Sequence, residues 1–433
     1  MEIYIVQPED TIDSIAYKHG ITAYKLISDN GLDYSHNLVP GQALIIIYPM
    51  ITHNVQKGET LGGIAKLHNV KLMQLLRNNP FLHSREYIYP GELLAIQYKH
   101  EDKISTNGYT YAFNKKDVLI KTLPYLTYLS IFNYGTTNKG EIITYDDDTE
   151  VIKLAKEYGT APMMMLSALT QKGQVNYGLL YDILLNEEYN TRLMENVLKI
   201  LKEKGFYGLN MLISDMNISN QKLYLVLLEK EEKILSREGF YFTITLNPKL
   251  TFTDDQISFE DLNYGAISDY VHCITLLQYT WGTNPGPPAP ISSEYLLRSF
   301  INHVKTAIPA DKTVIGKPLI AYDWELPYVP GRTQALSLTI DRAIGLAKEV
   351  GAVIQFDEIS QTPYFRYSAS YVGMPIEHIV WFIDIRSIIS LSQIIDDFEL
   401  CGSGIWNIMI HYQQMWTFLN YQYEIDKIIP DQF

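Results

Sequence analysis

Short apolar runs alternate with amphipathic helical patterns from residue 108 to the end of the chain. Eight of these runs predict buried strands. They are "YTYAF" (109–113), "YLTYLSIF" (125–132), "APMMMLSA" (161–168), "YGLNMLIS" (207–214), "FYFTITL" (240–246), "HCITLLQY" (272–279), "VIGKPLIAY" (314–322) and "GSGIWNI" (402–408). Amphipathic helices flank several of them, as at 188–204 and 333–350. Eight strand and helix pairs predict an α/β fold, a closed parallel (β/α)8 TIM barrel over residues 108–433.

A second group of strands interrupts this pattern after the seventh barrel strand. The segments "AVIQFDEISQTPYFRY" and "HIVWFIDIRS" both have the character of strands. A closed eight-stranded barrel has no place for them. They therefore predict a small α+β insertion at about residues 323–385.

The first 98 residues contain two copies of one pattern, at 2–48 and 51–98. The stretch "YIVQPEDTIDSIAYKHGITAYKLISDNGL" is echoed by "HNVQKGETLGGIAKLHNVKLMQLLRNNPF", and both copies close with a Pro-Gly turn and an apolar run. Each copy predicts a strand, two helices and a strand, with Thr11 or Thr60 capping the first helix. A polar stretch at 99–107 predicts a linker to the barrel.

The repeated βααβ pattern resembles the LysM module, which binds N-acetylglucosamine-containing glycans such as peptidoglycan and chitin. The resemblance implies a groove between the loop after the first strand and the loop before the last one. The contacts it implies are Glu9, Asp10, Thr11, Asn30 and Gly31 in the first copy, and Gly58, Glu59, Thr60, Asn79 and Pro80 in the second. Thr and Asn also suit a purely structural role as helix caps, and the sequence leaves both roles open.

Composition and charge narrow the classes of partner. With 433 residues, of which 47% are hydrophobic and 19% charged, the chain can bury a large core. Its net charge of −14 argues against nucleic acid, whose binding needs a basic surface, and is compatible with neutral glycans. Cys273 and Cys401 lie in apolar stretches and predict buried thiols rather than a disulfide. We expect neither a metal nor a cofactor.

The chain starts with "MEIYIVQPED", which has acidic residues where an export signal has basic ones. No stretch approaches the roughly 20 apolar residues of a membrane span. We therefore expect a protein that is made in the cytoplasm without a signal peptide and has no membrane span.

Four segments of the second part, "YDWELPYVPG", "QFDEISQTPYFRY", "VWFIDIRS" and "GSGIWN", resemble glycoside hydrolase family 18. With the two repeats, they resemble the LysM-bearing N-acetylglucosaminidases that degrade spore cortex peptidoglycan. The family is retaining: the acetamido group of the substrate attacks its own anomeric carbon while one Glu protonates the leaving oxygen. A neighbouring Asp orients the acetamido group. Both residues belong to a fourth-strand motif, Asp-Gly-x-Asp-x-Asp-x-Glu.

This motif falls on residues 207–214 and is degenerate. Gly208 is present and Asn210 is a modest replacement, but Leu212 stands in the place of the orienting Asp and Ser214 in the place of the acid Glu. A serine hydroxyl has no accessible acidic proton near neutral pH. A leucine cannot hydrogen-bond the acetamido group.

Asp215 is the fallback acid, although the alternation of side chains along a strand directs it away from the barrel interior. Thr280 and Ile383 also stand where the family or this branch tends to have acids. Aromatic and basic residues at the strand ends remain, and the resemblance implies a sugar pocket formed by Tyr279, Trp281, Tyr322, Trp324, Arg366, Trp381 and Trp406. Support of the barrel and insertion is an equally good explanation for these side chains.

Three hypotheses about function follow. The main one is a non-catalytic glycan-binding or structural protein of the spore envelope, deposited in cortex or coat, which binds peptidoglycan through the repeats. The first alternative is an active N-acetylglucosaminidase that uses an atypical carboxylate. The second alternative is a self-assembling coat or appendage subunit, with coat proteins or further copies of the chain as partners.

Overall fold

The structure is a computed structural model of the 433-residue chain. It describes residues 1–33, 38–85, 87–100, 102–167, 177–214, 216–253, 256–277, 286–371 and 374–432. Within these ranges, no helix combines the length and the apolar character that crossing a bilayer requires. The chain forms two small amino-terminal modules followed by a barrel.

Each module has the βααβ order that the repeats predict. The first contains β1 (Glu2–Ile5), α1 (Ile12–Lys18), α2 (Ala23–Asn30) and β2 (Ala43–Ile46), and the second contains β3 (Ile51–Asn54), α3 (Leu61–Leu67), α4 (Leu72–Asn78) and β4 (Leu93–Gln97). The two strands of each module pair antiparallel, and the helices pack apolar side chains against them. A 3₁₀ helix, Pro80–Ser84, lies in the last loop of the second module.

The remaining strands follow in chain order. They are β5 (Asp102–Tyr111), β6 (Tyr128–Thr136), β7 (Ile142–Thr144), β8 (Ala161–Ser167), β9 (Gly208–Ile213), β10 (Tyr241–Leu246), β11 (Leu250–Thr253), β12 (Gln256–Phe259), β13 (Cys273–Leu276), β14 (Thr313–Pro318), β15 (Ala321–Leu326), β16 (Leu336–Leu338), β17 (Gln355–Asp357), β18 (Thr362–Tyr371), β19 (Met374–Phe382), β20 (Gly402–Trp406) and β21 (Tyr423–Ile425).

Helices lie between these strands and cover the barrel. They are α5 (Lys116–Thr122), α6 (Thr149–Glu157), α7 (Tyr177–Leu185), α8 (Glu187–Lys204), α9 (Gln221–Arg237), α10 (Tyr264–Asp269), α11 (Glu294–Val304), α12 (Ile340–Glu349), α13 (Ile385–Asp397) and α14 (Gln413–Gln422), with 3₁₀ helices at Leu123–Tyr125 and Ala310–Lys312.

Eight parallel strands close the barrel and confirm the predicted fold. Their order is β5, β6, β8, β9, β10, β13, β14 and β20, and β20 pairs with β5 to complete the ring. Every predicted barrel strand overlaps one of these eight. The carboxyl ends of the strands open at one face, where the loops of a barrel of this kind build a site.

The structure differs from the prediction at both ends of the barrel. The stretch 99–107 was expected to be a linker, but β5 begins at Asp102 and pairs along its polar part with β21 and β20. The buried hydroxyl of Thr106 donates to the Tyr125 carbonyl at 2.6 Å, which shows how a polar residue of this strand is accommodated when buried. The predicted seventh strand is in fact two strands, β14 and β15, which belong to different sheets.

The insertion after the seventh strand is a five-stranded antiparallel sheet in the order β16, β15, β19, β18, β17. Helix α12 belongs to the same part of the chain. One face of the sheet packs on the main core through residues such as Phe365 and Val380. The other face buries an aromatic cluster around Trp324. The sheet therefore forms a wall beside the open end of the barrel.

Helix α14 joins both modules to the barrel. Three of its buried polar side chains donate hydrogen bonds: Gln414 to Asn30 Oδ1 and to the Ala43 carbonyl (both 2.9 Å), Thr417 to the Asp29 carbonyl (2.7 Å) and Asn420 to Asn78 Oδ1 (2.8 Å). Apolar residues of the modules, among them Ile45 and Tyr98, also belong to the main core. The modules are thus packed on the barrel rather than tethered to it.

Candidate functional site

A cavity of about 440 Å³ opens at the carboxyl ends of the barrel strands. Its lining comes from β9, β14, the insertion and the end of β20, and comprises Leu212, Ser214, Asn247, Leu277, Gly316, Pro318, Leu319, Ile320, Tyr322, Ser337, Leu338, Thr339, Trp406, Asn407 and Ile410. Its volume is in the range of small-ligand sites. None of the lining residues that the structure describes carries a charge, and this part of the lining favours a neutral ligand.

Asn210, an altered position of the fourth-strand motif, lies in the barrel interior below this cavity. It is fully buried and takes part in a chain of neutral hydrogen bonds: Tyr109 to Thr245 (2.8 Å), Thr245 to Asn210 Oδ1 (3.0 Å), Asn210 Nδ2 to Ser130 (2.9 Å) and Ser130 to Asn107 Oδ1 (3.0 Å). Burial raises the pKa of Tyr109 to about 12, so its hydroxyl stays protonated. The interior is therefore polar without being charged.

Leu212 lies one layer above Asn210, at the floor of the cavity. It packs in an apolar cluster with Tyr109, Phe132, Met165, Leu277 and Trp406. A carboxylate at this position would lose its hydration among these side chains and gain no partner there. The family's orienting Asp is thus replaced by a residue that suits its surroundings.

Ser214 follows β9 and also lines the cavity, where the family has its acid. No lining residue in the described part of the barrel is Asp or Glu. Ile383, a second position where this branch tends to have an acid, is fully buried in the main core. The fallback acid Asp215 and Thr280 lie outside the described residues. Hydrolysis by the family mechanism would therefore require a general acid that is not among these lining residues.

The predicted aromatic residues of the sugar pocket separate into three groups. Tyr322 and Trp406 line the cavity. Trp324 is fully buried, its Nε1 donates to the Gly286 carbonyl at 3.0 Å, and it is not part of the described cavity lining, so its contact with a sugar stays a prediction. Trp381 packs at a tilt against Tyr364 within the insertion, with ring centroids 4.6 Å apart.

The other three predicted pocket positions are Arg366, Tyr279 and Trp281. Arg366 lies on β18, exposed and outside the cavity lining. Tyr279 and Trp281 lie outside the described residues, so their predicted role remains a prediction.

Asn30 and Asn79 occupy equivalent places in the two modules and are buried. The amide of Asn79 donates to the Leu75 and Ala95 carbonyls and accepts from the Ala95 N–H, all at 2.8 Å. Asn30 makes the same three bonds, to Leu26 and Ile45, and also accepts from Gln414. These side chains join the second helix to the last strand and so have a structural role, while their contact with a glycan stays a prediction.

Thr11 and Thr60 cap the first helix of each module. Thr11 accepts from the Ser14 N–H at 3.0 Å, and Thr60 accepts from the Gly63 N–H at 3.1 Å. Both residues are exposed, so a cap does not exclude a glycan contact. Of the two roles that the sequence leaves open, the structure shows the cap.

The acidic residues of the first loops are also engaged within the modules. Asp10 accepts from the Tyr4 hydroxyl (2.8 Å) and the Gln7 N–H (2.7 Å). Glu59 accepts from the Gln56 N–H (2.7 Å) and is paired with His53 (2.8 Å), and these bonds lower its pKa. Such bonds shape the loop and leave the outer face of each carboxylate free to meet solvent.

Three of the remaining predicted contacts lie at positions where the backbone has an uncommon conformation. Glu9, Gly31 and Gly58 have positive φ, which a turn or a helix end requires at these places. A side chain at Gly31 would also meet Gln413 of α14. Pro80 starts the 3₁₀ helix and lines a cleft between the two modules.

Some polar residues of the barrel cavity were missed from the sequence. Asn247 lies two residues beyond the interior-facing Thr245, so the alternation along β10 could have found it. Asn407 follows Trp406 directly. Ser337 and Thr339 come from the insertion, and no local pattern places that sheet beside the barrel.

Comparison with known proteins agrees with this architecture. The LysM domain matches residues 4–46 and 53–97, and Glycosyl hydrolases family 18 matches residues 108–409. The chain is 29% identical to the cortical fragment-lytic enzyme of Bacillus subtilis (strain 168), over 99% of both chains. The crystal structure of the Bacillus cereus spore cortex-lytic enzyme SleL superposes with a TM-score of 0.80, at 26% identity, over 98% of this chain and 99% of that one.

The corresponding enzyme of Bacillus megaterium QM B1551 gives a TM-score of 0.79 at 26% identity, over 99% of both chains. The similarity therefore covers the modules, the barrel and their order. The chain belongs to glycosyl hydrolase family 18, as a member that carries two LysM domains ahead of its barrel.

Proposed function

We propose that this protein binds the N-acetylglucosamine-containing glycan of spore cortex peptidoglycan, and that it works in the spore envelope. Two LysM domains and full-length similarity to cortex-lytic enzymes support this. The observation that carries the proposal is the cavity at the mouth of a family 18 barrel, which Tyr322 and Trp406 line and whose described lining is uncharged. A neutral sugar offers hydroxyl and amide groups to such a lining and apolar C–H faces to its rings.

The comparisons support hydrolysis of this glycan better than the non-catalytic main hypothesis. The full-length relatives described above are named for lysis of cortex or of cortical fragments. They give no support to a self-assembling coat subunit. A glycosidase of this family needs a carboxyl group that protonates the leaving oxygen, and Asp215 is the residue adjacent to the degenerate motif that could supply one.

Binding without hydrolysis is the second candidate, and a specific observation favours it. Leu212 and Ser214 occupy the motif positions that carry the chemistry, and Leu212 is packed in an apolar cluster. General acid catalysis is typically worth about 10²–10⁴-fold in rate. A chain that lacks both the acid and the orienting group would hold the glycan and leave it intact.

A paired assay on purified cortex fragments separates the two candidates. The full chain is incubated with fragments, and both its co-sedimentation and the release of reducing ends are measured. The variant Asp215→Asn tests the fallback acid, and Asp269→Asn is its control. Asp269 is an exposed Asp at the end of α10, which leads to the start of β13 and not to the carboxyl ends of the strands.

Each outcome decides something. Release that falls at least about 100-fold in Asp215→Asn but not in the control establishes hydrolysis through Asp215. Release that survives both substitutions establishes hydrolysis through another group. Co-sedimentation with no release establishes the binding function. A chain that neither sediments nor releases reducing ends would overturn the proposal.

A further inference from the structure

A cleft of about 380 Å³ lies between the two modules, apart from the barrel cavity. The first module contributes the wall formed by Thr22, Tyr24, Lys25, Ser28 and Asp29, and the second contributes Thr52, Asn78, Asn79, Pro80, Phe81, Gly91, Glu92, Leu93 and Ala95. Of the groove predicted inside the second module, Asn79 and Pro80 also line this cleft, whereas Gly58, Glu59 and Thr60 do not. The cleft therefore exists only because the two modules lie side by side.

Aromatic and apolar side chains form one part of the cleft. Tyr24 of α2 meets Phe81 of the second module edge to face, with ring centroids 5.1 Å apart. Tyr24 nevertheless stays 47% exposed and Leu93 stays 55% exposed. Since two modules supply this apolar surface and leave it open, it can pack against the C–H face of a sugar ring.

The polar groups of the cleft balance in charge. Lys25 Nζ is 2.7 Å from Asp29 Oδ2 and 3.3 Å from the Tyr98 hydroxyl. Glu92 is paired with Arg85 at 2.6 Å. Neither a cation nor an anion gains an unpaired counter-charge here, which favours a neutral ligand that brings hydrogen-bonding groups.

Ser28 supplies the observation that points to a ligand. Its hydroxyl is buried in the wall of the cleft and has no hydrogen-bond partner among the residues that the structure describes. A buried hydroxyl without a partner costs free energy, and such groups are uncommon in folded proteins. An amide or hydroxyl of a bound sugar would satisfy it.

We propose that this inter-module cleft is a separate glycan subsite, which takes an N-acetylhexosamine unit of the same strand that the LysM modules bind. The inference rests on the proposed function. Tyr24 and Phe81 supply the stacking surface, and Ser28 supplies a hydrogen bond to the acetamido or hydroxyl groups. The strand would then pass between the modules and contact both.

Titration calorimetry with the tetramer of N-acetylglucosamine tests the site on the full chain, alongside co-sedimentation with cortex fragments. We expect Tyr24→Ala to weaken binding about tenfold and Ser28→Ala to weaken it several-fold. Tyr17→Ala is the matched control, because Tyr17 is a 90% exposed tyrosine of the same module outside the cleft lining. Tyr24→Phe keeps the ring and should bind like the parent chain.

Ser28→Ala removes one oxygen and opens no large cavity, so it keeps the test valid should Tyr24→Ala unfold the module. Binding by the parent chain that neither Tyr24→Ala nor Ser28→Ala weakens in either assay would overturn the cleft site and leave the proposed function intact. A parent chain that binds neither the tetramer nor cortex would overturn the proposed function itself.

Discussion

The LysM modules and the barrel are both recognisable in the sequence, and in both regions the recognisable residues hold the structure. In the modules, the repeated residues hold the structure: Asn30 and Asn79 join helix to strand, and Thr60 caps a helix. In the fourth-strand motif of the barrel, the residue that remains is Gly208 at the start of β9, and it also serves the scaffold. A Cβ at Gly208 would lie 1.9 Å from the Tyr241 carbonyl oxygen, so the strand packing requires glycine there.

The positions that carry chemistry follow another rule. Leu212 and Ser214 fit a cavity whose described lining residues are uncharged, and they depart from the family motif. A family can therefore be recognised through residues that keep a fold, although the residues that act on a substrate have changed. Substitutions in the two regions should separate these roles.

The largest effect is expected from Leu212→Asp combined with Ser214→Glu. The new Asp would be buried against Phe132 and Met165, which should raise its pKa and lower the free energy of unfolding by about 3 kcal/mol. The pair would also restore the orienting group and the acid, so weak hydrolysis of N-acetylglucosamine oligomers should exceed that of the parent chain. Denaturant unfolding and reducing-end assays measure the two changes.

The control for this experiment is Leu212→Asn with Ser214→Gln, which has similar shape and no acid. Hydrolysis in the acidic pair alone would show that β9 still faces a sugar pocket. A folded acidic pair that does not cleave the oligomers would show that the barrel mouth no longer holds a sugar in register, and would leave glycan recognition to the modules.

Asn79→Ala should have the next largest effect, on stability. It removes three buried hydrogen bonds and leaves the backbone groups of Leu75 and Ala95 unpaired, at a cost of roughly 2–4 kcal/mol. Asn54→Ala, at an exposed position of the same module, should change the melting temperature little. A normal melting temperature with lost glycan binding would contradict the structural role and return Asn79 to the predicted contacts.

Thr60→Ala is expected to have the smallest effect. Loss of the cap on α3 should cost about 1 kcal/mol, as measured by denaturant unfolding, and Thr60→Ser should restore it. Co-sedimentation with cortex should stay unchanged if the cap is its whole role. Weaker binding by the alanine variant with parental stability would show that Thr60 contacts the glycan.

Much of the fold could be predicted because its signals are local. The strand and helix pattern within each repeat, which recurs 49 residues later from Thr11 to Thr60, lies within a short window of sequence. The same holds for each of the eight apolar runs. The break between β14 and β15 was missed because "VIGKPLIAY" is apolar on both sides of Pro318, and its two halves differ only in their distant partners.

The candidate site was less predictable for the same reason. Gln414 and Asn420 resemble solvent-facing helix residues until the modules that cover them are in place. Trp324 comes just after the predicted seventh strand, where a sugar contact is expected, but its indole N–H donates to the Gly286 carbonyl. The motif positions Leu212 and Ser214 could be located from sequence, whereas the apolar cluster around Leu212 could not.

The docking of both modules on α14 also limits the directions in which the protein can reach. Trp416 on this helix is fully buried and stacks on Tyr125, while neighbouring side chains bind the modules, so modules and barrel cannot swing independently. A flexible tether would let anchor and barrel meet a polymer at many separations. Here the distance between the modules and the barrel is constant. Under the proposed function, the protein would sense how straight and how accessible a strand is, as well as which sugars it contains.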